Sequence, residues 1–327
     1  MGELSPVTKL RRWLRGKQGS PTTSQPSAEQ DPIEIALAAL LGTAPLQEAQ
    51  RLLVFVRYEQ GEDLPECQAN FLADLTRLGW AIWIVDNSPL PLAGPWLERI
   101  QAALYWQRPN QGLCIGAYGA AIELLHRVLG RQTNLKPPTL ALVNNSFLPL
   151  LPASANPILF NLFTKPLPPG HFRGLTESRE QAYHLQSYLL LLGPEAWHTQ
   201  QAREFWLECA GLKEREALIS QGEVALTGVL QQQGLRPEVM VPTSRLAAIA
   251  SHRIGVQEHH PVSPIEHNPY LVYWRELLQL TGIIKKSALN NSSQSRTAGT
   301  SLVEFLEIAH QAGLAGAEAV IDRLVRY

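Results

Sequence analysis

Unbroken apolar runs alternate with stretches of helical period along most of this chain. Residues 52–56 (LLVFV) are continuous and flanked by Arg51 and Arg57-Tyr58, the pattern of a strand buried on both faces. Between 67 and 78, Phe71, Leu72, Leu75 and Leu78 fall at helical spacing, and Gly79 closes the segment. Residues 80–85 (WAIWIV) form a second buried run, and 140–143 (LALV) a third. Residues 33–41, after Asp31-Pro32, read as a helix, as do 117–129. This β-α-β alternation predicts an α/β fold, an open and mostly parallel central sheet with helices on both faces. Residues 147–170, dense in Pro and Leu, predict an irregular connection. Residues 195–209 and 217–230 predict helices, and 301–327 a helical region broken near Gly313 to Gly316.

The densest signal lies between Phe172 and Leu192. Residues 174–178 (GLTES) read as a turn, and Ser178-x-x-Gln181 has the form of a capping box. The run at 188–192 (YLLLL), stopped by Gly193-Pro194, predicts a central strand from about His184 onward. Thr176, Glu177 and Ser178 would then stand at the strand's entry, at the edge of a cleft. The same pattern also fits a core strand after an ordinary turn.

Composition narrows the class. With 327 residues, 45% hydrophobic and 17% charged, the chain suits one large α/β domain or two small ones. The net charge of −1 gives no basic field for nucleic acid. Cys67, Cys114 and Cys209 are dispersed without metal spacing, which fits a reducing cytoplasm. No window approaches a membrane-spanning helix, and residues 1–30 lack the apolar core of a signal peptide. A soluble or peripheral protein is expected. Residues 7–17 place Val7, Leu10, Trp13 and Leu14 on one helical face among five basic residues. Such a segment fits peripheral contact with the anionic inner face of a membrane, or a frayed terminus. Residues 19–31 read as a polar linker, giving boundaries of 1–31, 32–290 and 291–327. His259, His260 and His267 are separated by PVSPIE, whose prolines exclude helical ligand spacing, so a solvated loop is expected.

Chemistry gathers at the predicted strand ends. Asp86 follows the second run, where acids in open α/β sheets can accept hydrogen bonds from a nucleotide's base or ribose. An Asx turn is the alternative. Residues 108–118 (RPNQGLCIGAY) place Gly112 and Gly116 before a helix, a loop that suits a diphosphate.

The segments GLTES…HLQSYLLLL, RPNQGLCIGAY, LVNNS and NPYLVYWRELL…GIIK occur in this order, and together they resemble the rhamnan synthesis F family. The resemblance runs from about Leu52 to Leu289. It implies a GT-A-like glycosyltransferase of polysaccharide biosynthesis. That function would transfer a sugar such as rhamnose from a nucleotide-diphosphate donor, dTDP-rhamnose for example. The acceptor would be a cell-wall, capsule or O-antigen glycan, lipid-linked or free. By the same resemblance Glu177 is the candidate base. Asp86 and Asn110 would hold the nucleotide, while Arg108, the Gly112–Gly116 loop and Lys285 would face phosphate. Cys114 and Asn145 stand where the family usually has acids that would hold Mn²⁺ or Mg²⁺. Two expectations follow: an enzyme that holds metal weakly or not at all, or a non-catalytic relative acting as a scaffold in glycan assembly.

Overall fold

The computed structural model of the chain describes residues 31–42, 50–254, 268–290, 302–314 and 317. The basic segment at 7–17, His259, His260, His267 and the stretch 291–300 lie outside the described residues. Helix α1 (Pro32–Gly42) precedes strand β1 (Arg51–Arg57), helix α2 (Glu66–Arg77) and strand β2 (Ala81–Asp86). Helix α3 (Gly94–Ile100), strand β3 (Leu104–Gln107), helix α4 (Leu113–Arg131) and strand β4 (Thr139–Asn144) follow. β1 runs parallel to β2 and to β4, and β2 parallel to β3, in the spatial order β3-β2-β1-β4. Parallel neighbours need crossovers, and α2, α3 and α4 supply them.

The unbroken apolar run of β1 has a direct cause. Leu52, Val54 and Val56 pack into one core with α1 and α4, and Leu53 and Phe55 into a second core with α2. Helices therefore cover both faces of the central sheet. Helix α4 is long and apolar enough to cross a membrane by length and composition, although the hydropathy pattern led us to expect no such window. It is 67% buried inside the fold, as the core helix of a globular domain is.

Beyond β4 the chain reverses. Strands β5 (Phe147–Pro149) and helix α5 (Pro157–Thr164) occupy the stretch expected to be irregular. Asn156 caps α5 by accepting from the N–H groups of Ile158 and Leu159. Strands β6 (His171–Ser178), β7 (His184–Leu185) and β8 (Leu189–Leu192) come next. β8 lies between β4 and β6, antiparallel to both, so the expected central strand is present over Leu189–Leu192; its expected start at His184 is instead the separate strand β7, which pairs with β6. The expected turn at 174–178 is instead the end of β6. Its backbone is paired with β8 on one side and with β9 (Arg236–Val241) on the other. Gly174 makes this close: a Cβ there would meet Leu185 and Leu190 at 3.1 and 3.3 Å. Ser178 opens no helix. Its Oγ accepts from the Glu180 N–H at 3.2 Å, a local turn that leads into the β6–β7 hairpin.

Helix α6 (Gln200–Gly211), a π-helical turn (Leu218–Val224) and helix α7 (Ala225–Gln232) follow β8. Helix α8 (Thr243–Ile254), helix α9 (Trp274–Thr281) and strand β10 (Ile283–Lys285) come after β9. β10 pairs antiparallel with β5 and sets Lys285 opposite Phe147. Helix α10 (Leu302–Gln311) packs Phe305, Ile308 and Ala309 against Trp274, Leu278 and Ile284.

A histidine stack ties α4 to the short helical turn after β8 (Pro194–Trp197). His126 on α4 bonds the carbonyl of Trp197 through Nε2 at 2.9 Å and stacks on His198 at 5.1 Å. Burial holds both imidazoles below the usual histidine range. Groups with depressed folded values bind fewer protons when folded, so their contribution is present above about pH 6.5 and is lost as pH falls through the folded values. The melting temperature should therefore drop between about pH 7 and pH 5, and His126→Phe should flatten part of that drop. An unchanged slope in His126→Phe would remove this stack as its source.

Candidate functional site

The four parallel strands end on one side of the sheet, and their ends carry the polar residues. Tyr58 follows β1, Asn87 follows β2, Arg108 and Asn110 follow β3, Asn144 ends β4, and Asn145 and Ser146 follow it. The strand order reverses between β1 and β4, and open α/β sheets bind ligands at such a switch point, outside the carboxyl ends. A cleft of about 400 Å³ opens there. Its walls include Asn87, Asn110, Cys114, Asn145, Glu223 and Lys285. A shallower outer lobe of about 530 Å³ shares Tyr58, Asn87 and Asn110 with it and adds Arg108. The two lobes form one groove.

Several of the sequence-derived site residues meet in this groove. Asn110, Arg108, Asn145 and Lys285 line one lobe or the other. Asp86 lines neither. It is 0% exposed, and its carboxylate binds Arg57 Nη1 at 2.8 and 2.9 Å. The same carboxylate accepts from Tyr105 Oη and from the N–H groups of Ser88 and Leu92. Asp86 thus ties the ends of β1, β2 and β3 to the loop after β2, and no oxygen is turned to a nucleotide. Glu177 also lies away from the groove. Side chains alternate along β6, and Thr176 is the one turned inward, bonded to Gln186 and Tyr188. Glu177 points the other way and accepts from the Thr243 N–H at the start of α8 at 3.1 Å.

Gly112 and Gly116 shape the wall from behind. Gly112 has φ 74°, and a Cβ on it would stand 2.8 Å from the Gly116 Cα. A Cβ on Gly116 would stand 2.9 Å from the Gln111 carbonyl. The glycines let the loop fold back on the first turn of α4, which brings Leu113 and Cys114 to the groove. Leu113 itself has φ 50°, a left-handed conformation that costs a branched residue of order 1–3 kcal/mol and is typical of functional sites. Arg108 reaches across the loop, donating to Asn87 Oδ1 at 3.2 Å and to the Gln111 carbonyl. Burial holds its guanidinium below the usual arginine range.

The inner lobe centres on Lys285. The β5–β10 pairing carries it to the end of β4, although 139 positions separate it from Ser146. Nζ donates to Ser146 Oγ at 2.5 Å and lies 4.2 Å from the ring centre of Tyr188 and 5.0 Å from that of Tyr270. Lys285 is 8% exposed, and no carboxylate among the described residues is within ion-pair distance of it. Burial pushes its ammonium down to about 8, with Glu223 and Cys114 acting in the opposite direction. Glu223, on the π-helical turn, completes this lobe. Its Oε1 accepts from the Ser187 N–H at 3.0 Å.

The donor set does not fit a divalent cation. Asn145 takes the Tyr58 N–H on Oδ1 at 3.3 Å and donates Nδ2 to the Tyr58 carbonyl and to Glu59 Oε1, both at 2.9 Å. Its amide is occupied in clamping β1 to β4. An aspartate there would face a carbonyl and a carboxylate with no proton to give. Burial pushes the Cys114 thiol up to about 11, so it presents a neutral S–H, whereas a metal takes the thiolate. Among the described residues no three His, Cys, Asp or Glu side chains converge as a metal set.

Glu223, Tyr188, Tyr270 and Ser146 are site residues that sequence reasoning passed over. Ser146, Tyr188 and Tyr270 lie inside the segments LVNNS, HLQSYLLLL and NPYLVYWRELL but have no local mark of a ligand role, and the Gly222-Glu223 pair inside a helical stretch fits a surface helix equally well.

No family model matches the chain, so the resemblance to the rhamnan synthesis F family rests on its motifs alone. No curated protein matches either. Among solved structures, the glycosyltransferase GlyE of Streptococcus pneumoniae TIGR4 aligns at 10% identity and a TM-score of 0.40. That alignment covers 85% of this chain and 64% of GlyE. A likeness at that identity and score carries no inference about the chemistry of this chain.

Proposed function

We propose that this protein is a GT-A-like glycosyltransferase that takes a sugar from a nucleotide-diphosphate donor. One observation carries the reading: a two-lobed polar groove lies at the switch point of the parallel strands and has a cation in each lobe. Arg108 serves the outer lobe and Lys285 the inner. The outer lobe, beside Tyr58, Asn87 and Asn110, has room for a nucleoside. The first turn of α4 borders the groove through Leu113 and Cys114, and a helix N-terminus is a favourable neighbour for a diphosphate. Transfer breaks the bond between the anomeric carbon and the diphosphate oxygen. Charge then builds on the diphosphate, and fixed positive groups in a water-poor site stabilise it well. Lys285 and Arg108 take that part here, in place of Mn²⁺ or Mg²⁺.

The finer reading, a rhamnosyl donor such as dTDP-rhamnose and a cell-surface glycan acceptor, draws on the motif series. Peripheral membrane contact through residues 7–17 belongs to the same reading. A scaffold role in glycan assembly is the second reading, favoured by the missing acids at Cys114 and Asn145.

A thermal-shift panel of nucleotide sugars, dTDP-rhamnose included, tests the two. Each donor is run with Mn²⁺ and with EDTA. A donor present at about one hundred times its Kd stabilises the fold by about 2.7 kcal/mol. We expect one nucleotide class to raise the melting temperature equally under both conditions. Stabilisation that vanishes in EDTA would contradict the metal-free site. No stabilisation by any donor would leave the scaffold reading.

A further inference from the structure

We propose that Glu223 is the base that takes the proton from the acceptor hydroxyl, an inference that rests on the groove being a sugar-transfer site. Three facts about its position support this. First, Glu223 and the exposed Glu180 are the acids that line the inner lobe. Glu180 accepts from the Asn268 side chain at 3.1 Å near the solvent edge. Glu223 is half-buried and deeper, on the Lys285 side, where Tyr188, Tyr270, Lys285 and Cys114 all feel its charge. Second, its carboxylate is held at one oxygen only. The Ser187 N–H fixes Oε1, and Oε2 takes no hydrogen bond from the described residues. One oxygen is oriented and the other is left for a ligand, the arrangement a general base needs. Third, the backbone beneath it is a π-helical turn, which is rare and recurs at functional sites. Gly222 lies so close to α4 that a Cβ would sit 2.6 Å from Ile115 Cγ2, so the turn is pressed against the wall that carries Cys114.

The step balances without any further reactant. The acceptor oxygen forms a bond to the anomeric carbon while its O–H bond breaks. The proton passes to Glu223 Oε2. The electron pair of the breaking carbon–oxygen bond leaves with the nucleoside diphosphate beside Lys285. Glu223 and Lys285 line the same lobe, so the base and the cation that receives the leaving diphosphate face one cleft.

Water can replace the glycan acceptor, which makes the test independent of acceptor identity. The probe is the nucleotide sugar that stabilises the native full-length protein most in the panel, and the readout is release of nucleoside diphosphate. Glu223→Gln keeps the shape and the acceptor for the Ser187 N–H. Its turnover at saturating donor should fall about 10²–10⁴-fold, with the donor Kd within a few-fold of the native value. Three outcomes overturn the assignment. One is unchanged turnover in Glu223→Gln. Another is a weakened donor Kd with unchanged turnover, which would make Glu223 a sugar-binding residue. The third is a donor that binds but is released no faster than without protein. Failure of every donor to bind is a different result, since it removes the reading of the groove itself.

Discussion

Arg57→Ala should destabilise the protein by about 3–5 kcal/mol, the typical cost of removing one partner from a buried ion pair. Both side chains of the Arg57–Asp86 pair are 0% exposed. Arg57 Nη1 also donates to Ser88 Oγ at 2.7 Å and to the Leu90 carbonyl, while Nη2 bonds the carbonyls of Gly61 and Asp63. One guanidinium therefore satisfies the loop after β1 and the loop after β2 together. Truncation leaves a buried carboxylate beside Tyr105, whose hydroxyl is already held far above the usual range by burial and by that same charge. Charge and carbonyls lose their partners in one step. Thermal melts followed by circular dichroism should show the loss as a drop of many degrees. The double variant Arg57→Met with Asp86→Leu should recover part of it, since no unpaired charge is then left buried, although the loop carbonyls still lose their donor. A melt for Arg57→Ala that overlays the native one would mean that the pair contributes nothing and that the loops hold themselves.

The same pair shows where sequence reading reached and where it stopped. The runs at 52–56 and 80–85 identify β1 and β2 because strands covered on both faces need no polar alternation, and none is present. The switch point follows from their order. An acid after a buried strand, however, looks the same whether it turns out to a ligand or in to a buried arginine. Only the pairing of Arg57 with Asp86 across β1 and β2 decides that, and Asp86 turns in. Glu177 raises a related difficulty. Gly174 and Ser178 give the segment the composition of a turn, and a turn carries no strand alternation. Once 171–178 is a strand, period two turns Thr176 inward, onto Gln186 and Tyr188, and Glu177 to the opposite side. β9 (RPEVMV) is not legible in the sequence because its mostly half-buried positions give no alternating signal and its proline is tolerated at a sheet edge. Lys285 is legible in the motif series, but its cause is not. A three-residue β5–β10 pairing between segments 136 positions apart brings it to the cleft, and nothing local encodes that contact.

Lys285→Met should do two opposite things, raising the stability of the empty protein and removing its affinity for a diphosphate. The ammonium is buried against two tyrosine rings, with one hydroxyl as its hydrogen-bond partner and no paired carboxylate. A buried charge in that state opposes folding, which is why its value is pushed down to about 8 from the ordinary lysine value of 10.5. The folded value is the lower one, so the unfolded chain binds more protons between those two values. Stability from this group is lowest below about pH 8 and rises as pH climbs toward 10.5. Methionine has similar length, carries no charge and makes favourable sulfur contacts with aromatic rings. The variant should melt higher than the native protein near pH 7, and the difference should narrow toward pH 10. Binding runs the other way. A phosphate would supply the missing anion, and truncating one partner of a buried charge pair costs about 2–5 kcal/mol. That corresponds to a loss of roughly thirty-fold or more in Kd. Native affinity for a nucleoside diphosphate should also weaken as pH rises above about 8, because the ammonium is then deprotonated in the empty site. In Lys285→Met that pH dependence should disappear. Titration calorimetry at two pH values, together with melts of the empty proteins, reads all of these effects. A variant that melts lower and binds equally well would show that Lys285 serves the fold, with its charge screened from any ligand.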